Sequence, residues 1–123
     1  IIDPLPADIG NVSYIIHAAS IASPIYYRKN PIETMDANVN GLRYLLDFLR
    51  GRQQRGEKVG GLLYFSTSEI YGDPSLHPQI EDYWGNVNPI GIRSCYDEGK
   101  RCAETLFFDY HRQYCNLFTT KTK

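Results

Sequence analysis

Val12-Ser13-Tyr14-Ile15-Ile16-His17-Ala18-Ala19 and Gly60-Gly61-Leu62-Leu63-Tyr64-Phe65-Ser66 are two short apolar runs of β-rich composition. Uninterrupted runs of this kind suit strands of a parallel sheet covered on both faces, because no position along them has to face water. Between them Asn30-Pro31 offers an N-cap and a first helical position. Val39, Leu42, Leu45, Leu46 and Leu49 then recur at helical spacing as far as Gly51. A strand, a crossover helix and a second strand follow one another, which predicts parallel strands joined by a right-handed connection. A further helix is predicted from about Tyr96 to Tyr114, with Ala103, Leu106, Phe107 and Tyr110 on its buried stripe and Arg101, Glu104 and Arg112 on the wet side. The fold class is α/β.

Residues 70–93 hold Gly72, Pro74, Pro78, Gly85, Pro89 and Gly91, so no regular element is expected there. A loop of that length is usually functional, and this one leaves the carboxyl end of a strand, where open α/β sheets bind ligands. The chain opens on Ile1-Ile2-Asp3 with no Gly-rich phosphate-binding turn after it. It stops in Leu117-Phe118-Thr119-Thr120-Lys121-Thr122-Lys123, where a next strand is due. The expectation is a partial domain over 1–123, truncated at both ends.

Bulk properties narrow the function. The 123 residues are 42% hydrophobic, enough for one domain with a core, and no apolar run approaches the ~20 residues that span a bilayer. A net charge of -1, from 13 basic and 14 acidic side chains, provides no field for nucleic acid or anionic lipid. Cys95, Cys102 and Cys115 are odd in number and lack the close pairing of zinc sites or disulfide frameworks, so no metal is expected and packing is the role assigned to all three. No signal peptide or lipidation motif is visible, and a cytoplasmic location is the default.

Tyr96 and Lys100 lie four apart in Ser94-Cys95-Tyr96-Asp97-Glu98-Gly99-Lys100. On a helix they share one face, where the cation would stabilise the phenolate and draw the tyrosine pKa down from about 10. A tyrosine so tuned serves as a general base on a sugar hydroxyl. With 10 tyrosines in the chain the spacing alone is weak, and a solvent-facing pair is the better reading until its neighbours are counted.

Those neighbours are Ser66-Thr67-Ser68-Glu69-Ile70-Tyr71-Gly72-Asp73-Pro74, His77-Pro78-Gln79, Tyr83-Trp84-Gly85-Asn86-Val87-Asn88-Pro89-Ile90-Gly91, Arg93-Ser94-Cys95-Tyr96-Asp97-Glu98-Gly99-Lys100-Arg101 and Ala103-Glu104. His17-Ala18-Ala19-Ser20, Ser23-Pro24 and Asn30-Pro31 add weaker support. Across about a third of the chain this pattern resembles the extended short-chain dehydrogenase/reductase family, NAD-dependent epimerases and dehydratases, and within it the UDP-glucuronate decarboxylases. The resemblance implies the central part of a doubly wound Rossmann-type sheet with flanking helices, and NAD as cofactor. It implies a catalytic set of Thr67, Ser68, Glu69, Tyr96 and Lys100, and Ala18, Ala19, Ser20, Ser66, Tyr96 and Lys100 against the cofactor. By the same resemblance Tyr96 is the base for the sugar 4-hydroxyl, Lys100 lowers its pKa and holds the nicotinamide ribose, Thr67 donates to the 4-oxygen, and Glu69 orders substrate or relays a proton. The resembling 4,6-dehydratases carry an aspartic acid where this chain has Ser68, which turns the reading from dehydration to decarboxylation of UDP-glucuronate to UDP-xylose. Helices at 31–50 and 96–114 form a homodimer interface in resembling proteins.

The chain departs from the pattern at Asp36-Ala37-Asn38 and Tyr44, where those decarboxylases tend to carry Lys-Thr-Asn and an asparagine. A 4-epimerase or dehydratase of the same fold, or a non-catalytic truncated paralogue that dimerises, are the rival readings. Plainer roles also stand beside the catalytic ones. Ser66, Thr67 and Ser68 could close a strand and cap a turn. Ala18-Ala19-Ser20 could be a tight turn, His17 a satisfied core histidine, and Trp84 a cover for the core.

Overall fold

The computed structural model describes residues 3–6 and 8–114. The two apolar runs form β1 (Tyr14–His17) and β2 (Gly61–Tyr64), paired in parallel with Tyr14 opposite Gly61 and His17 opposite Tyr64. Gly60 admits the ring of Tyr14 at the start of this ladder: a Cβ there would stand 2.6 Å from Tyr14 Cζ and 2.9 Å from the Ser13 carbonyl. No larger residue fits without displacing the first pair.

The crossover holds three helices, α1 (Pro24–Tyr27), α2 (Pro31–Asn38) and α3 (Asn40–Gln54), where a single helix over 31–51 is predicted. The predicted helix breaks at Val39, whose φ of -91° and ψ of -60° let α3 set off from the end of α2. Asn30 holds the N-cap position, but its amide turns back to donate to the Tyr26 carbonyl at 3.0 Å and caps nothing in α2. Gly51 does not end the helix either. The stop comes at Gly56 with φ +75°, whose N–H bonds the Gln53 carbonyl at 2.9 Å while Glu57 N–H bonds that of Arg52 at 3.0 Å. This is a Schellman closure, and it places the left-handed residue after the last buried side chain of α3, Arg52, which donates to the Ile9 carbonyl at 2.9 Å.

Helix α4 (Ser94–Gln113) starts two residues before the prediction, where the Ser94 hydroxyl bonds the Asn88 carbonyl. Leu42, Leu46, Leu49, Ala103 and Tyr110 make the core between α3 and α4, and Ile15, Leu62, Tyr64, Leu106 and Phe107 pack against it. Tyr110 also donates its hydroxyl to Asp47 at 2.7 Å, tying the two helices at their far end. The opposite sheet face is bare among the described residues: Tyr14, Ile16, Leu63 and Phe65 are 53–73% exposed. Burial on both faces is therefore not met here, because the described residues supply one covering layer and the strand composition is written for two.

The segment 70–93 is more ordered than its punctuation predicts. A 3-10 turn spans Ser68–Tyr71, and Gly72 bridges Asn86. Gly72 (φ +63°) and Gly85 (φ +80°) make this possible, since a Cβ at Gly85 would lie 2.6 Å from Tyr71 Cα. Arg101 leaves its predicted wet side to donate to the Ile70 carbonyl at 2.8 Å and the Trp84 carbonyl at 2.9 Å, because this stretch of α4 faces the loop and not water. Trp84 itself is 89% exposed and covers no core. Cys102 is exposed, so packing fails as its role, while half-buried Cys95 directs its thiol at the Tyr27 carbonyl. Cys115 and the segment 117–123 lie outside the described residues. Among the described residues no helix is long and apolar enough to cross a membrane.

Candidate active site

The carboxyl ends of β1 and β2 open towards the first two turns of α4, so parallel pairing brings Ala18-Ala19-Ser20 and Ser66-Thr67 to one edge. Tyr96 and Lys100 reach that edge from α4, and both are buried. Gly99, between them on the helix, lets α2 approach: a Cβ there would already be at 3.4 Å from Asn38 and from Met35 Sδ.

Thr67 does two things at once. Its hydroxyl oxygen accepts the Glu69 N–H at 3.2 Å, closing the 3-10 turn, and its side chain lies near enough to the Tyr96 phenol to pull that group's pKa down. An oxygen that accepts from backbone still has its own proton to give, so the capping and functional readings of Thr67 coexist. Tyr96 stacks on Tyr27 with ring centroids 5.1 Å apart and planes 8° from parallel, which fixes the ring that carries the phenol.

Lys100 donates to the Phe65 carbonyl at 2.7 Å, and its ammonium lies 4.8 Å from the Tyr64 ring centre and 5.8 Å from that of Tyr96. Burial lowers its pKa. The predicted depression of the tyrosine does not appear. Burial holds the Tyr96 phenol above its ordinary pKa, the carboxylates of Glu69 and Asp97 add to this, and Thr67 is what pulls it down. The ammonium is drawn instead to a strand-end carbonyl, which satisfies a buried donor more directly than a ring does.

The remaining site residues differ in surroundings. Ser66 and Ser68 are exposed, and Glu69 is half-buried in the turn. Ala18 and Ala19 are exposed at the end of β1, and Ser20 donates to the buried Asn38 Oδ1 at 2.7 Å. His17 is buried with neither ring nitrogen hydrogen-bonded among the described residues, so within them it is not the satisfied core histidine expected. It packs by its ring, 5.5 Å from that of Tyr64, and burial and the nearby Lys100 charge lower its pKa.

Three residues here escaped assignment from the sequence. Asn38 keeps a buried Nδ2 with no partner beside Ser20. Arg93 reaches Asp97 at 3.4 Å, Asp73 at 3.2 Å and Glu69 at 3.9 Å. Asp97 is 3% exposed, and its pKa is pushed up to about 6, first by burial. The Arg93 to Asp97 spacing of four was a readable ion-pair signal, but nothing in it announced burial.

The donor set at the strand ends fits the hydroxyl-rich nicotinamide end of a dinucleotide. Small Ala18 and Ala19 leave the backbone open, and the three-donor ammonium of Lys100 has one hydrogen bond among the described residues.

Comparison with known proteins agrees with this geometry. The chain is 57% identical over 104 residues to UDP-glucuronic acid decarboxylase 6 of Arabidopsis thaliana, covering 84% of this chain and 28% of that protein. It is 49% identical over 114 residues to UDP-glucuronic acid decarboxylase 1 of Danio rerio, covering 92% and 25%. The chain thus spans about a quarter of the length of the curated relatives it matches. The model of the NAD dependent epimerase/dehydratase family matches residues 2–122, and with that near-complete match the chain belongs to this family.

Proposed function

We propose that the protein carrying this chain decarboxylates UDP-glucuronate to UDP-xylose through a 4-keto sugar. The observation that carries the reading is that α4 brings buried Tyr96 and Lys100 to the strand end that holds Thr67, with Lys100 bonded to the Phe65 carbonyl, in a chain whose relatives are named for that reaction. Ala18, Ala19, Ser20, Ser66 and Lys100 would hold NAD. When bound, NAD+ supplies the acceptor for the C4 hydride and returns it at the end of the cycle.

Tyr96 takes the proton of the sugar 4-hydroxyl, and Thr67 stabilises the phenolate that makes this possible. Lys100 is fixed by the Phe65 carbonyl and keeps a positive charge beside both aromatic rings. Once C4 is a ketone the C5 carboxylate belongs to a β-keto acid. Loss of CO2 then leaves an enolate, which the Thr67 hydroxyl can stabilise at the 4-oxygen. Glu69 orders water or relays the proton that C5 needs. Ser68, exposed and un-ionised, offers no acid for the departure of a 6-hydroxyl. A homodimer through helices at 31–50 and 96–114 belongs to the same proposal, supported by Tyr44, Phe48 and Phe108, which α3 and α4 leave half-buried.

Proton NMR of the longest form of the protein that carries this chain, incubated with UDP-glucuronate and NAD+, tests the reading. A xylose-type anomeric signal is expected. Unchanged UDP-glucuronate from a protein shown to bind NAD would overturn it and favour a 4-epimerase.

A further inference from the structure

Two carboxyl side chains share the Arg93 guanidinium where α4 packs on the 3-10 turn, Asp97 at 3.4 Å and Glu69 at 3.9 Å. Asp97 comes from α4 and is 3% exposed, and Glu69 comes from the turn. Asp97 Oδ1 and Glu69 Oε2 are both buried, and neither has a hydrogen-bond donor among the described residues. Ionised carboxylates only accept, so two of them about one guanidinium repel each other and leave these two buried oxygens unsatisfied. One proton between them removes the repulsion and satisfies both.

We propose that Asp97 is a positioning residue for Glu69: the Asp97 carboxyl, protonated, donates to the Glu69 carboxylate, with Arg93 as the pair's counter-ion. Arg93 is suited to this, because its guanidinium reaches Asp97, Glu69 and Asp73 together. The pair with one proton carries one negative charge against one positive charge. The surroundings give the same direction. Burial raises the Asp97 pKa, Glu69 raises it by charge and by hydrogen bonding, Asp73 in the loop raises it, and Arg93 alone opposes them. Tyr27 of α1, with Tyr96 and Cys95 of α4, feels the Asp97 charge, and all three have raised pKa values headed by burial. Held this way, Glu69 keeps one orientation beside Thr67 and Tyr96. As pH rises and Asp97 ionises, that hold is lost.

The consequence for turnover rests on the decarboxylase reading, but the shared proton does not, and the experiment separates them. Carboxyl carbon NMR across pH, on the longest form carrying this chain, should show Asp97 titrating with a midpoint near about 6. Glu69→Gln should return the Asp97 midpoint towards the ordinary carboxylate range of about 4. An Asp97 midpoint near 4 in the unaltered protein overturns the proposal whatever the enzyme does.

Rates supply the second arm. Asp97→Asn keeps a neutral donor to Glu69 and should hold kcat within about threefold, with the pH limb near 6 gone. Asp97→Leu removes the donor and should lower kcat about tenfold or more, within the range general acid and base groups command. Equal rates in the two variants, or a limb that persists in Asp97→Asn, overturn the positioning role. No turnover of UDP-glucuronate by the unaltered protein would sink the decarboxylase reading and leave the NMR midpoints to decide the pair.

Discussion

Helix α3 hides Leu42, Leu45, Leu46 and Leu49, all at 5% exposure or less, while α4 between Ser94 and Lys100 hides a serine, a tyrosine, an aspartate and a lysine at 3–7%. Both stretches are about equally dry. In α3 the burial is favourable by itself, since each leucine removed from water stabilises the fold by about 2 kcal/mol. In α4 each buried group needs a partner: the Phe65 carbonyl for Lys100, the Tyr27 ring for Tyr96, Arg93 for Asp97 and the Asn88 carbonyl for Ser94. The start of α4 carries this arrangement while Ala103 and Tyr110 serve the ordinary core further on, and buried ionisable groups of this kind concentrate at functional sites.

The contrast can be broken at three points. Leu46→Ala should have the largest effect on stability, about 3 kcal/mol, because the site is fully enclosed between α3 and α4. Urea unfolding would read it as a lower midpoint at unchanged slope. A loss under about 1 kcal/mol would mean that the core does not depend on this stripe.

Asp97 comes next, through pH. Its pKa is raised in the fold, so the folded state binds this proton more tightly than the unfolded chain does. The stabilisation is fully present below about pH 4 and is lost as pH rises through about 6. With a shift of about two units its size is at most about 3 kcal/mol. Unfolding free energies at pH 4 and pH 7 should differ less in Asp97→Asn than in the unaltered protein. An identical difference in the two would remove Asp97 from the account.

Tyr96→Phe should cost the least stability, about 1 kcal/mol or less, since the ring keeps its stack on Tyr27 and only one hydroxyl is removed. Turnover in the same variant should fall about a hundredfold or more. A folded variant with near-normal turnover would end the general-base assignment.

Much of this was legible because it is local. Two apolar runs, one leucine stripe and a Tyr-to-Lys spacing gave the parallel pair, α3 and the site face of α4, since each depends on a period of residues along one element. The misreadings share a cause. Gly51 reads as a helix stop, yet the helix closes at Gly56, because Arg52 still has a tertiary partner in Ile9. Arg101 reads as a solvent residue, yet its i-to-i+4 face meets the carbonyls of Ile70 and Trp84. Trp84 reads as a cover, yet Gly72 and Gly85 fold its loop outward.

The sequence by itself determined which elements form and which residue types arrive at the strand ends, because helix and strand periods and motif spacing are written in consecutive residues. Only the tertiary structure decided which groups pair there. It turned Lys100 towards a backbone carbonyl, brought Thr67 beside Tyr96, left His17 without a hydrogen bond among the described residues, and gathered Asp97 and Glu69 about Arg93. Charge state and hydrogen bonding depend on distances between elements far apart in the chain and on the water excluded between them, and no local pattern encodes either.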